Sequence, residues 1–254
     1  MATSWAKMLH AIWECAMKAK LQSYAGALTA AEITAGIAAA QSNALRLIED
    51  AKLLFDAGRH PSACALAILA MEERGKTQIL KRMALATDPA DMKAAWREYR
   101  SHRAKNAGWI IPQLVAAGAR TMKGMASAID SEAEHAALLD GVKQVSLYTD
   151  CLGDRHWSIP EKVVSESLAR SMIASAEAMW GAEAISLREV ELWGQIVGPH
   201  YSKPTMGQAV LQWQAAMVAE GLSDTPVEAL AAFIKGAPQG IIMRGEPVEA
   251  QGSD

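Results

Sequence analysis

The stretch that most constrains this chain is residues 62–82, Ser-Ala-Cys-Ala-Leu-Ala-Ile-Leu-Ala-Met-Glu-Glu-Arg-Gly-Lys-Thr-Gln-Ile-Leu-Lys-Arg. His60-Pro61-Ser62 reads as a helix start, because Pro61 suits a first turn whose N–H groups have no helical partner. An almost purely apolar run follows from Ala63 to Met71, and then charge intrudes. Leu66, Leu69, Glu73, Lys76 and Leu80 recur at intervals of three or four, which puts Glu73 and Lys76 on a stripe with leucines. Either Glu72 and Glu73 pair with Lys76 on an exposed turn, or the charges line a cleft. Burying one alone would cost on the order of several kcal/mol.

The rest of the chain is written in the same helical vocabulary. Hydrophobic residues make up 51% of it, which excludes disorder, yet there are two Phe and four Tyr, and Ala, Leu, Met and Trp fill the apolar positions. Pleated strands select β-branched and aromatic residues, so this composition predicts an all-α fold. The net charge of −3 excludes non-specific coating of nucleic acid, and any RNA contact must be a local patch. Cys15, Cys64 and Cys151 are odd in number and far apart, as reduced cytosolic thiols are. No run approaches the roughly 18 apolar residues that a membrane span needs. The expected location is therefore cytoplasmic.

The helix ends are legible. Met1 to Lys20 reads as an amphipathic helix. Thr29-Ala30-Ala31-Glu32 is a capping box opening a long helix whose stripe Ile33, Ile37, Ala40, Ala44, Leu47, Ala51 and Leu54 ends at Gly58. The helix with the charged stripe should run to about Thr87, and Asp88-Pro89 should cap another from Ala90 to about Lys105. Gly108 and Pro112 open a fifth toward Ser127. Ser131-Glu132-Ala133-Glu134 reads as a second capping box for a helix through Leu147. Residues 148–160 form the clearest loop, Pro160 starts a long helix to about Gly194, and two short helices cover Thr205 to Glu220 and Pro226 to Lys235. This divides the chain into a helical core over 1–160, a helical extension packed on it over 161–236 and a flexible tail over 237–254.

The basic patch lies near the end of the fourth predicted helix, where Lys93, Arg97, Arg100, Arg103 and Lys105 oppose Glu98 around His102. In one continuous helix Glu98, His102 and Lys105 share a face, and Arg97 lies well round from His102. A lone His among charges is either a solvated surface residue or a proton-transfer group.

Taken together, Asn43-Ala44 and Glu49-Asp50-Ala51, then Ala67-Ile68 to Glu72-Glu73-Arg74-Gly75-Lys76, then His102-Arg103-Ala104-Lys105, and finally Leu147-Tyr148-Thr149-Asp150 with Trp157 and Pro160, resemble the AbiV family of abortive-infection proteins. The resemblance covers roughly Leu28 to Pro160. AbiV belongs to the HEPN superfamily, all-α domains many of which are metal-independent ribonucleases working as dimers. The superfamily's Arg, four to six residues, then His is matched by Arg97 to His102. The resemblance thus implies a HEPN-like helical bundle with additional C-terminal helices, acting in anti-phage defence as a homodimeric endoribonuclease toxin.

RNA can be cut by its own 2′-hydroxyl, which needs a base, an acid for the leaving oxygen and cations for the phosphorane charge. His102 would serve as base or acid, Arg97, Lys76 and Lys105 would steady the phosphate, and Glu73 would orient the cations or tune the His. Arg100 and Arg103 extend the patch toward substrate. Tyr148 and Trp157 either anchor the core or, as the resemblance suggests, belong to a loop folding over the site, with Asp150 beside Lys76 or Lys105. No cofactor or metal is expected: the six His are dispersed, without His-Glu-x-x-His or Cys-x-x-Cys, and no Gly-rich phosphate loop follows a strand. The competing class is a non-catalytic binding module that recognises a phage or host protein.

Overall fold

The computed structural model describes residues 23–130, 133–179 and 184–235. The stretches 1–22, 131–132 and 236–254, which carry the expected N-terminal helix, the start of the second capping box and the tail, lie outside the described residues, as does Trp180.

Two long helices, α1 (Ala30–Asp56) and α2 (His60–Met83), form a hairpin against which the other elements pack. Thr29 caps α1 with the reciprocal bonds expected of its capping box, Glu32 N to Thr29 Oγ1 at 3.2 Å and Thr29 N to Glu32 Oε2 at 2.8 Å. Gly58 turns the chain at φ 71°, in the left-handed region that costs a glycine least. The α1 stripe Ile33, Ile37, Ala40, Ala44, Leu47 and Ala51 is buried, as the spacing predicts.

Two apolar clusters sit at opposite ends of α2. One joins Ala63 to Met71 of α2 to Leu47, Ile48 and Ala51 of α1, Leu139 of α6 (Glu134–Leu147) and Ala169, Met172, Ile173 and Ala176 of a later helix, Glu166–Ala178. The other joins Ile79, Leu80 and Met83 to Ile33 and Ile37 of α1 and to Met92, Ala95 and Trp96 of α3 (Pro89–Arg100), with Val190. The charged segment 72–76 of α2 lies between them.

Several predicted helices are shorter than their periodicity suggests. The Ala90-to-Lys105 helix is two, α3 and α4 (His102–Asn106), broken at Ser101, whose backbone is extended at φ −81° and ψ 125°. Ser101 Oγ then caps the new helix by accepting from Ala104 N at 3.3 Å. The fifth is a 3₁₀ turn, Ala107–Ile110, a short α5 (Ile111–Ala116), a turn at Gly118 with φ 91° and a second 3₁₀ segment, Lys123–Ile129.

The loop after α6 contains a small antiparallel hairpin, β1 (Asp150–Leu152) and β2 (His156–Ser158), pairing Cys151 with Trp157. The long helix expected from Pro160 is α7 (Pro160–Val163) and α8 (Glu166–Ala178), separated where Ser165 starts a new helix by accepting from Leu168 N. Farther on lie α9 (Leu187–Leu192), α10 (Met206–Ala219) and α11 (Val227–Lys235). Trp193 ties this region to the hairpin by donating to the Lys81 carbonyl at 3.1 Å, and packs edge-on against Trp213. The fold is all-α apart from the small hairpin, and among the described residues no helix is long and apolar enough to cross a membrane.

Candidate functional site

Gly75 fixes the site's architecture. A Cβ there would overlap the carbonyl oxygen of Lys105, so only glycine lets the backbone of α4 lie against the middle of α2. With the helix break at Ser101, this close approach brings His102 over the α2 residue one turn before Gly75, which is Glu72.

Glu72 is buried, and three cationic or imidazole groups converge on its carboxylate. Oε1 accepts from Lys143 Nζ of α6 at 2.5 Å. Oε2 lies 2.7 Å from His102 Nδ1 and 3.4 Å from Lys105 Nζ. Lys143 also pairs with Asp140 at 2.9 Å and stands 3.1 Å from His102 Nδ1. Burial alone would push the Glu72 carboxyl up, but the hydrogen bonds from Lys143 and His102 and the charges of Lys143 and Lys105 outweigh it and hold its pKa below the ordinary value. Burial likewise acts to lower Lys143, and its bonds to Asp140 and Glu72 outweigh that, so its pKa is raised.

These contacts assign the imidazole tautomer. An ammonium only donates and a carboxylate only accepts, so Nδ1 can satisfy one of its two neighbours. With Glu72 held ionised and at the shorter distance, Nδ1 carries the hydrogen and donates to Oε2. In the neutral form of this tautomer Nε2 is the acceptor. The His102 side chain is 53% exposed against 4% for Glu72, so the ring is buttressed from within and open to solvent.

Of the residues expected from the sequence, His102 and Lys105 are in this cluster. Glu73 and Lys76 form a separate, half-buried pair at 2.6 Å beside it, with Lys76 Nζ 5.3 Å from the centre of the Tyr99 ring. The carboxylate that meets His102 is therefore Glu72, not Glu73. Arg97 and Arg103 are exposed and take no part in the cluster's bonds. Arg100 reaches back to the carbonyls of Tyr24 and Trp96 and lies 5.2 Å from the Trp96 ring centre. Asp150 is exposed, accepts from Cys151 N and pairs with neither lysine, because Lys76 is taken by Glu73 and Lys105 by Glu72. Tyr148 and Trp157 are 59% and 66% exposed, so neither anchors the core.

Sequence reasoning missed Glu72, Lys143 and Asp140, although two of them leave a trace. Cys64, Ile68, Glu72, Gly75 and Ile79 form their own stripe at spacings of four and three, and Ala136, Leu139, Lys143 and Ser146 form another. A single charge on a stripe of buried small and apolar residues is the signal, and a partner on another helix is what it demands. Among the described residues, Glu72, His102 and Asp140 also offer ligand atoms within 4.8 Å of one another, a set able to hold a metal ion. The Lys143 ammonium already stands among all three.

Beside Lys105 opens a recess of about 380 Å³. Tyr24, Trp96 and Tyr99 supply its aromatic side, and Lys76, Arg100 and Lys105 its basic side.

With this geometry in hand, comparison with known proteins is informative on one point. The family model HEPN_AbiV, described as AbiV, matches residues 32–181, more than half of the chain. No curated protein and no solved structure matches. The matched range runs past Pro160 to take in α8, whose buried face completes the first apolar cluster.

Proposed function

Since the chain belongs to the AbiV family of HEPN proteins, we propose that it is a metal-independent endoribonuclease of an abortive-infection system, with the exposed Nε2 of His102 as its proton-transfer group. The observation that carries this reading is the Glu72–His102 contact at 2.7 Å, which orients a solvent-facing imidazole as a buried carboxylate orients the histidine of a hydrolytic triad.

In the reaction Nε2 takes the proton of a ribose 2′-hydroxyl as its oxygen bonds to the adjacent phosphorus. The bond from phosphorus to the 5′-oxygen breaks, and that oxygen takes a proton from the imidazolium or from water. Lys105 and Lys76 offset the charge that builds on the phosphorane oxygens. Glu72 and Lys143 are positioning residues, since they touch His102 rather than substrate. The working form in this reading is a cytoplasmic homodimer whose paired sites make a groove for one RNA strand.

A second reading is favoured by one observation. Tyr148 and Trp157 expose most of their surface beside the small hairpin, and Leu147 and Val163 are also exposed. An apolar set of this kind suits contact with a phage or host protein and makes the alternative a binding module.

Purified protein incubated with cellular RNA, with and without a metal chelator, separates the two. The ribonuclease reading expects cleavage in both arms and a loss of about 10²-fold or more in His102→Ala. Undiminished cleavage in that variant overturns His102 as the proton-transfer group, and no cleavage in the wild type overturns the ribonuclease and leaves the binding module.

A further inference from the structure

Proton transfer at His102 uses none of the aromatic side of the recess beside Lys105. All three charged side chains on its wall are positive, Lys76, Arg100 and Lys105. The carboxylates that pair with the two lysines, Glu73 and Glu72, are not among the residues that line it. An anion is what such a wall attracts.

The aromatic side has a different character. Trp96 is buried and turned edge-on to both neighbours, with ring centres 5.9 Å from Tyr24 and 5.4 Å from Tyr99. Tyr24 is held in place, its hydroxyl donating to the Ala27 carbonyl at 2.9 Å and its own carbonyl accepting from Arg100, yet 57% of its surface is exposed. A fixed, exposed aromatic ring beside a group of cations matches the two halves of a nucleotide: a flat base that stacks and a phosphate that needs positive charge. The volume falls in the range of pockets that hold one small ligand.

Lys105 joins the recess to the chemistry. It lines the cavity, and its Nζ is 3.4 Å from the Glu72 oxygen that also holds His102 Nδ1. Lys105 therefore stands between the recess and the carboxylate that orients the imidazole. We propose that the recess is a nucleotide subsite for a strand of RNA, with Tyr24 carrying the base and Lys76, Arg100 and Lys105 the phosphate, so that the adjoining phosphodiester is presented to His102. This rests on the ribonuclease reading for its consequence, but the binding it describes does not require cleavage.

The test uses the full chain and a fluorescein-labelled, fully 2′-O-methylated RNA oligonucleotide, which lacks the attacking hydroxyl and cannot be cut. Anisotropy should show Tyr24→Ala and Arg100→Gln binding about 10-fold or more weakly than wild type, with melting temperatures confirming that both fold. Tyr24→Phe, which keeps the ring and loses the hydroxyl, should retain most of the binding. On cleavable RNA the two weakened variants should raise the half-saturating concentration more than they lower the saturated rate, and His102→Ala should do the reverse. Wild-type binding by Tyr24→Ala and Arg100→Gln, with cleavage still lost in His102→Ala, overturns the subsite and leaves the ribonuclease standing. Weakened binding in those variants, with His102→Ala cutting normally, overturns His102 as the proton-transfer group and leaves the recess as a nucleotide site. Displacement of the oligonucleotide by an equal concentration of adenosine monophosphate would make it a site for free nucleotides and overturn strand binding.

Discussion

Glu72 and Arg188 each gather several opposite charges, and the contrast between them separates an ion cluster that can do chemistry from one that decorates a surface. Arg188 on α9 holds Glu220 through two bonds of 2.8 Å and Glu191 at 3.3 Å, with its side chain 45% exposed. The bonds it donates to Glu220 raise its pKa, and both carboxylates are exposed at 36% or more. Glu72 has comparable distances but a side chain 4% exposed, and its partners arrive from two other helices. In the first case water replaces a lost partner. In the second nothing does, so the groups hold one another in fixed places.

The largest expected effect that tests this contrast is that of Glu72→Ala. It leaves the buried Lys143 with Asp140 alone and takes from Lys105 the carboxylate it pairs with, and should cost about 3–5 kcal/mol, lowering the melting temperature by roughly 10 °C. A shift near that of a surface substitution would mean that water reaches the cluster.

Titration sharpens the comparison. The stability that the depressed Glu72 pKa confers is fully present above the ordinary carboxyl value of 4.5 and is lost as pH falls through the lower folded value. The raised Lys143 pKa confers stability present below 10.5 and lost as pH rises through the higher folded value. The difference in unfolding free energy between wild type and Glu72→Gln should therefore stay level from about pH 5 to 10 and shrink only below about pH 4.5. Shrinkage already at pH 6, read from denaturant melts, would show that the carboxyl is not held ionised. The smallest effect belongs to Arg188→Ala, which should leave the melting temperature within about 2 °C and move it less still in high salt.

The fold was largely legible because its helices carry their own punctuation. Thr29 with Glu32 and Asp88 act through bonds to residues two or three positions on, Gly58 and Pro61 through their own backbone angles, and such local signals survive in a string of letters. Ser101 is the instructive failure. Its neighbours continue a helical period, and what breaks the helix is the demand that Lys105 pack against Gly75, which is some thirty residues distant in sequence. That break also invalidated the expected face of Glu98, His102 and Lys105. The site was legible in its histidine and one of its lysines. Periodicity within α2 placed Glu73 on a leucine stripe and left Glu72 as no more than a candidate partner of Lys76, although the deeper stripe of Cys64, Ile68, Gly75 and Ile79 includes it. Lys143 sits on another helix altogether, and no spacing rule within one helix could join it to His102.

The five-residue helix from His102 to Asn106 has a consequence for motion. So short a segment has almost no stability of its own, since forming the first turn of a helix is unfavourable without neighbours. It holds its shape because Ser101 caps it, Gly75 admits its backbone and Glu72 grips its first side chain. The amide protons of this segment should therefore exchange with solvent through a local opening that leaves the α1–α2 hairpin intact, at far lower free energy than global unfolding. In that opened form the protein is still folded, and His102 has let go of Glu72.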